Sequence, residues 1–519
     1  MKLRYLLYTV LLLLPFIFRD YTPDNELRYI SIIDEALANS SVFTFYNHGE
    51  AYADKPPLFF WLMMLSRMLT GEHIFWIYGL FSVLPAMGIV VLMNRWIQAE
   101  QPHSKLLPAG EMLLTTGIFL GAALVLRMDM LMTLFIVLSL YTFYRVYHKK
   151  NKPYEKWLLP VYIFLGVFTK GPMGILIPLV SVLAYVAIGK GWKQLPRCFG
   201  WKQFVVLLSL CAVWFGCIYL EGGTEYLHNI LFRQTVGRGI NSFYHKAPFY
   251  YYLKTMPYTF APWSITYIAL LWAGFRQGKQ VADLEKYFIS IILSGIVLLS
   301  LVSSKLDVYL LPVYPFVAYL SVLQIDKITR WNNWIKGTLL LPYVVLALLF
   351  PFSQLIFKQL PFPVGESFGI LHIALLCLMV CALVSIYGTF RGAYRRAIFC
   401  GAIGLMLFIG IGSFGITPLN PHIGIKEMAL TSRHLAEENG LEEYAYYKFR
   451  AGENLDLYLN RIPANLKSVE SVGEMADSTT YLLIVRDRER RREPELEQRL
   501  SHFKALGRVS DYEFFMVGK

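Results

Sequence analysis

Charge is scarce in this chain: lysine, arginine, aspartate and glutamate make up 16% of 519 residues, against 56% hydrophobic ones. Soluble domains carry about 25% charged residues, so this balance excludes an ordinary water-soluble globule and points to lipid as the main solvent. Cysteine is scarce too. Its six positions, Cys198, Cys211, Cys217, Cys377, Cys381 and Cys400, lie in or beside apolar runs or in basic loops, with no disulfide framework and no zinc spacing. Cys377 and Cys381, four apart in an apolar run, read as small packing residues. No small-residue cleavage site follows the first apolar run, Tyr5 to Phe18, which is therefore expected to stay as a membrane helix rather than leave as a signal peptide. Internal repeats and inverted half-symmetry are absent as well, which weighs against a secondary transporter.

What is present is a series of apolar runs near 5–18, 74–94, 110–126, 130–147, 157–169, 172–188, 203–220, 257–275, 287–302, 308–325, 337–357, 368–388 and 397–416. They predict a polytopic α-helical membrane protein with about thirteen crossings, some shorter than the ~20 residues of a straight span. The apolar stretch Leu58 to Leu69 is short and follows a charged loop, so it is expected to lie at the interface or to form a broken entry into the second span. Loops rich in lysine and arginine, such as Arg145 to Lys156 and Lys190 to Lys202, alternate with poorer ones. The positive-inside rule then predicts a cytoplasmic N-terminus and an outer C-terminus. The net charge of +13 is largely topological on this reading, and a nucleic-acid partner has little support. The outer side would carry a first loop at 19–73, a central loop at 221–256 and, beyond a membrane part at 1–416, a small α+β domain at 417–519. The run Arg486 to Glu493 in that last part reads as a solvated charged face rather than a phosphate patch.

The first loop concentrates charge at a bilayer edge, which is costly unless the charges meet one another or a ligand. Asp24, Glu26 and Arg28 follow Pro23 before a run with helical spacing. Asp24 and Arg28 would share a face if the helix began early, and a helix-start carboxylate paired with a downstream arginine is the structural alternative. Tyr52-Ala-Asp-Lys-Pro-Pro-Leu58 comes next. The two prolines stiffen the chain, so Lys55 is held at a fixed angle at headgroup level, where an ammonium suits a phosphate or simply snorkels. The central loop mixes Arg238, His245 and Lys246 with tyrosines, as suits a sugar phosphate or an aromatic belt. Asp129 beside Arg127, Lys170 in a Gly-Pro break, and Lys305 before Tyr309 add further charge on that side. Together these groups fit a phosphate-bearing lipid reacting at the membrane surface: cations stabilise the leaving anion, and a carboxylate orients or deprotonates the acceptor. Spacing alone leaves lipid binding and transport open.

In order along the chain, Asn25-Glu26-Leu27-Arg28-Tyr29, Tyr52-x-Asp54-Lys55-Pro56-Pro57-Leu58, Arg127-x-Asp129, Thr169-Lys170-Gly171-Pro172, His245-x-x-Pro248-Phe249 and Ser303-Ser304-Lys305-x-x-x-Tyr309-x-x-Pro312 resemble the ArnT-like lipid-linked-sugar glycosyltransferases of the GT-C superfamily, relatives of the protein O-mannosyltransferases. The resemblance covers roughly residues 1–430. It implies a GT-C enzyme of the bacterial inner membrane with a periplasmic C-terminal domain. Such an enzyme takes a glycosyl group, such as 4-amino-4-deoxy-L-arabinose, from an undecaprenyl or other polyprenyl monophosphate carrier and passes it to lipid A or another envelope acceptor. The alternatives are a protein O-glycosyltransferase or, further off, a lipid flippase. Family members usually read Asp-Glu-x-Arg-Tyr where this chain has Asp24-Asn25-Glu26-Leu27-Arg28-Tyr29, so the resemblance implies Asp24 as the catalytic carboxylate, with Glu26 second and Asp129 lining the cavity. Arg28 and Lys55 would hold the carrier phosphate, with Tyr52, Lys170, Arg238, His245, Lys305 and Tyr309 around the donor. Asp54, at a position linked to metal in the family, would form with His422 a partial divalent-metal site.

Overall fold

The computed structural model describes residues 2–101, 108–232, 246–276, 281–325, 327–328, 333–360 and 362–518. Seven helices among them are long and apolar enough to cross a membrane: Phe75–Glu100, Asp129–Tyr147, Trp201–Phe232, Asp283–Leu301, Asp307–Ile325, Gly365–Phe390 and Tyr394–Ser413. The remaining apolar runs fold as shorter helices, among them Leu3–Phe18, Met173–Ile188 and Asn333–Leu348, or as broken pairs. The run at 110–126 is one such pair, Ala109–Leu114 and Gly117–Ala123. Its break is paid for by partners that hydropathy cannot show: Trp263 Nε1–H donates to Thr115 Oγ1 at 2.8 Å, Thr116 Oγ1 and the Tyr267 hydroxyl lie 3.0 Å apart, and Gly117 N–H donates to the Ala261 carbonyl at 2.7 Å.

Small residues set the corner that carries Lys170. Helix Glu155–Lys170 ends at Gly171, whose φ of +97° a side chain would strain, and helix Met173–Ile188 starts directly after Pro172. The two helices touch backbone to backbone, since a Cβ on Gly174 would lie 2.2 Å from the Gly166 carbonyl carbon. Close approach through glycine is the usual means of tight helix association in lipid.

Leu58–Thr70 is an amphipathic helix that begins right after Pro57. Phe59, Phe60 and Met63 are buried, while Leu65, Met68 and Leu69 remain exposed. Before it, Tyr46–Asn47 (β1) and Glu50–Ala51 (β2) form a short antiparallel hairpin. Its turn residues His48 and Gly49 both take positive φ, +54° and +78°, the conformation favoured in two-residue hairpin turns. Glu35 fixes the turn by accepting the His48 N–H at 2.7 Å and the Gly49 N–H at 3.0 Å.

After Tyr394–Ser413 the chain builds a five-stranded mixed sheet in the order β4-β3-β5-β7-β6, from Glu443–Tyr447 (β3), Ala464–Leu466 (β4), Tyr481–Arg486 (β5), Lys504–Val509 (β6) and Tyr512–Val517 (β7). One face packs on helix Lys426–Glu438 and takes in Leu27 of the first loop, fully buried. The other face packs with Val472, Leu496 and Leu500. Within the basic run Arg490 pairs with Glu513 at 2.8 Å and Arg491 with Asp487 at 2.8 Å.

Candidate active site

Glu26 and Asp129 anchor two neighbouring clusters on the segment 124–129. Glu26 is fully buried in the turn Pro23–Leu27. Arg19 donates to it through both terminal nitrogens, at 2.6 Å each, and the Leu126 and Thr22 amides donate at 2.7 and 2.8 Å. The Arg19 guanidinium is capped by the Phe75 ring at 4.6 Å and donates to the Leu124 carbonyl at 3.1 Å. A carboxylate with this many donors is saturated, so the geometry makes Glu26 an anchor of the loop rather than a free base.

Asp129, 1% exposed, is the first residue of helix Asp129–Tyr147 and sits at its positive end. Arg127 Nε donates to Oδ2 at 3.1 Å, and Lys170 pairs with Oδ1. The Lys170 ammonium also lies 4.9 Å from the centre of the Tyr309 ring. The Tyr29 phenol, fully buried, interacts with the charges of Arg127, Asp129 and Arg28 and with Tyr52. Two cations thus share one carboxylate, and the cluster carries an excess of positive charge beside Tyr29, Tyr52 and Tyr309.

Asp24 is half-buried. It pairs at 3.2 Å not with Arg28 but with Arg450, which follows β3. Arg28 begins helix Arg28–Ala38 and is half-buried, as are Tyr52, Asp54 and Lys55. Lys305 is buried, with its ammonium donating to the carbonyls of Val302 at 2.6 Å and Ala247 at 3.0 Å. Burial holds its pKa below the usual lysine range. Arg238 and His245 lie outside the described residues.

A family profile described as dolichyl-phosphate-mannose-protein mannosyltransferase matches residues 54–220. An undecaprenyl phosphate-alpha-4-amino-4-deoxy-L-arabinose arabinosyl transferase of Enterobacter is 25% identical over 425 residues, 78% of this chain and 74% of that protein. An uncharacterized protein of Aquifex aeolicus is 26% identical over 347 residues, 65% of this chain and 67% of its own length. The crystal structure of ArnT from Cupriavidus metallidurans bound to undecaprenyl phosphate superposes with a TM-score of 0.78 at 16% identity, covering 99% of this chain and 97% of that one. The chain has the fold of ArnT and is similar in sequence to the arabinosyl transferases over most of its length.

The divalent-metal site that the resemblance implies at Asp54 and His422 finds no matching ligand set among the described residues. Asp54 interacts with Tyr226. His422 instead hydrogen-bonds the Ser510 hydroxyl at 2.8 Å and stacks on Phe362, ring centres 5.3 Å apart. Among the described residues no three histidine, cysteine or acidic side chains come together as a metal would need. The ArnT-like motifs also omitted residues that this geometry brings in. Arg19, Arg450 and Glu221 belong to no motif, and the signal for each was a charge at the end of an apolar run or in a distant segment.

Proposed function

We propose that this protein transfers a glycosyl group from a polyprenyl monophosphate carrier to an acceptor at the outer face of the bacterial inner membrane. The observation that carries the reading is the positive excess around Asp129, with Arg127 at 3.1 Å and Lys170 paired to the same carboxylate; Arg28 and Tyr52 meet the cluster through Tyr29, and half-buried Lys55 follows Tyr52 by three residues. A buried surplus of cations is costly unless an anion completes it, and a lipid phosphate is the anion at hand. The names of the relatives favour undecaprenyl phosphate as carrier and 4-amino-4-deoxy-L-arabinose as sugar; lipid A as acceptor is what the family resemblance implies. On this reading the acceptor oxygen attacks C1 of the sugar. The C1–O bond to the carrier phosphate breaks, and the phosphate leaves carrying the bonding pair into the field of Lys170, Arg127, Lys55 and Arg28. Asp24 takes the acceptor proton, and Tyr52 and Tyr309 pack on the sugar. Arg238, His245 and Lys305 complete the donor side.

The same reading has the shorter apolar helices cross the membrane as well, to give about thirteen spans, some below the ~20 residues of a straight helix. It places the N-terminus in the cytoplasm and residues 417–519 as a periplasmic domain. A protein hydroxyl as acceptor is the second reading, favoured by the description of the family profile.

The test incubates purified protein with a radiolabelled polyprenyl-phosphate sugar and either extracted lipid A or a serine-rich peptide. Label should move to lipid A, and Asp24→Asn should lower turnover by about 10²-fold or more, the range for general-base loss, without changing the melting temperature. Transfer only to peptide selects the second reading. No transfer to either acceptor defeats both.

A further inference from the structure

Helix Trp201–His228 turns much of its surface outward, with Phe204, Val205, Leu208, Val213 and Leu220 exposed, yet at one end it grips the first loop twice. Glu221 accepts hydrogen bonds from three consecutive backbone amides, those of Val42, Phe43 and Thr44, at 3.1, 3.0 and 2.8 Å, and from the Thr44 hydroxyl at 2.6 Å. The next residue, Gly222, leaves room for that loop, since a Cβ there would lie 2.6 Å from Thr44 Cγ2. Gly223, at φ +71°, then breaks the helix, so that Tyr226 reaches the far end of the same stretch. Tyr226 is 3% exposed; its hydroxyl oxygen accepts the Phe45 N–H at 3.0 Å, and its O–H donates to the Tyr52 carbonyl at 3.1 Å. Trp61 closes the arrangement from helix Leu58–Thr70 by donating its indole N–H to the Val42 carbonyl at 2.6 Å.

Residues 42–52 are therefore held at both ends by one helix, and the chain leaves this clamp at Tyr52, three residues before Lys55. The Lys55-Pro-Pro corner has little freedom of its own, so its place is set by where Tyr52 is held. The hydrogen bonds to Glu221 involve a charged acceptor and three adjoining amides, stronger and more directional than neutral ones. The same helix continues to Phe232, immediately before the sequence that bears Arg238.

We infer that Glu221 and Tyr226 are positioning residues that hold Tyr52 and Lys55 at the donor phosphate, so that carrier affinity depends on a clamp made by a helix outside the charged cluster. This rests on the proposed carrier-dependent reaction. Two measurements separate the two claims. Hydrogen exchange of residues 42–52 in the purified full chain needs no carrier: Glu221→Gln and Tyr226→Phe should each speed exchange there and leave the helix Asp129–Tyr147 unchanged. Unaltered exchange in 42–52 would overturn the clamp. Undecaprenyl phosphate binding then reads the positioning. Glu221→Ala should weaken it about tenfold, the scale of a charged hydrogen bond, but should have little further effect in a Lys55→Ala background. Gly222→Ala, which keeps the carboxylate and pushes Thr44 away, should weaken binding as well. Equal losses from Glu221→Ala with and without Lys55, or normal affinity in Gly222→Ala and Glu221→Ala, would refute the positioning role. Should the unmodified protein bind no polyprenyl phosphate, the carrier reading itself fails and the Lys55 role falls with it, while the exchange result still decides the clamp.

Discussion

Glu26 and Asp129 are both essentially inaccessible, at 0% and 1% exposure, and both sit against the same short segment of chain, yet they are built for different ends. Around Glu26 one arginine is matched to one carboxylate, and two amides fill the remaining lone pairs. Around Asp129 two cations face one carboxylate, and tyrosines border them. The first cluster pairs one cation with one carboxylate; in the second two cations share one, and on the proposed function an anion would complete it. Burial of a charged group therefore does not by itself mark a reactive site. On the proposed function, the balance of charge within the cluster is what separates a loop anchor from a phosphate subsite.

The comparison breaks most visibly if each carboxylate is neutralised. Glu26→Gln takes from the largely buried Arg19 the carboxylate that it grips with both terminal nitrogens and should cost about 3–5 kcal/mol of stability, the usual range for breaking a buried pair, seen as a large fall in melting temperature and yield that no added anion restores. Asp129→Asn should cost less. Its two cations can recruit an external anion, and inorganic phosphate should recover part of the lost melting temperature. Equal recovery of both variants by phosphate would erase the distinction.

A smaller effect tests the contact between the first loop and the C-terminal sheet unit. His48 Nε2 bonds Asp456 Oδ2 at 3.0 Å, and Ser31 donates to the other oxygen at 3.0 Å. The hydrogen bond to Asp456, aided by Glu35 and Glu453, holds the imidazole pKa above its ordinary value. A group with a raised folded pKa contributes fully below its unfolded value, about 6.5 for histidine, and the contribution fades as pH rises through the folded value. The protection of β1, β2 and their turn against hydrogen exchange, taken relative to the intrinsic rate at each pH, should thus fall modestly as pH climbs above that range, and His48→Gln should remove this fall.

Much of the cluster around Asp129 could be read from sequence because its members sit at local signals: a carboxylate two residues from Arg127 at the start of an apolar run, and Lys170 at a Gly-Pro corner. The helix Leu58–Thr70 was legible for the same reason, since Pro56-Pro57 and the apolar run fix where it begins. The partners of Asp24 and His48 were not legible. Arg450 and Asp456 lie hundreds of residues away, and nothing in spacing predicts which strand end will meet a loop. Glu26 read as a candidate acid because its saturation by Arg19 and two amides is a tertiary fact. The unbroken hydropathy of 110–126 likewise concealed the threonine break, because the side chains that satisfy it come from around residue 263.

The central claim is that surplus positive charge at Asp129 receives the carrier phosphate. Its most direct test is undecaprenyl phosphate binding by the purified protein in lipid nanodiscs, compared with Lys170→Met. That substitution keeps Asp129 paired with Arg127 and removes only the excess cation. The expected result is a loss of affinity of about tenfold or more, the scale of one charge-assisted contact, at a nearly unchanged melting temperature. Equal affinity in the two proteins would contradict the account.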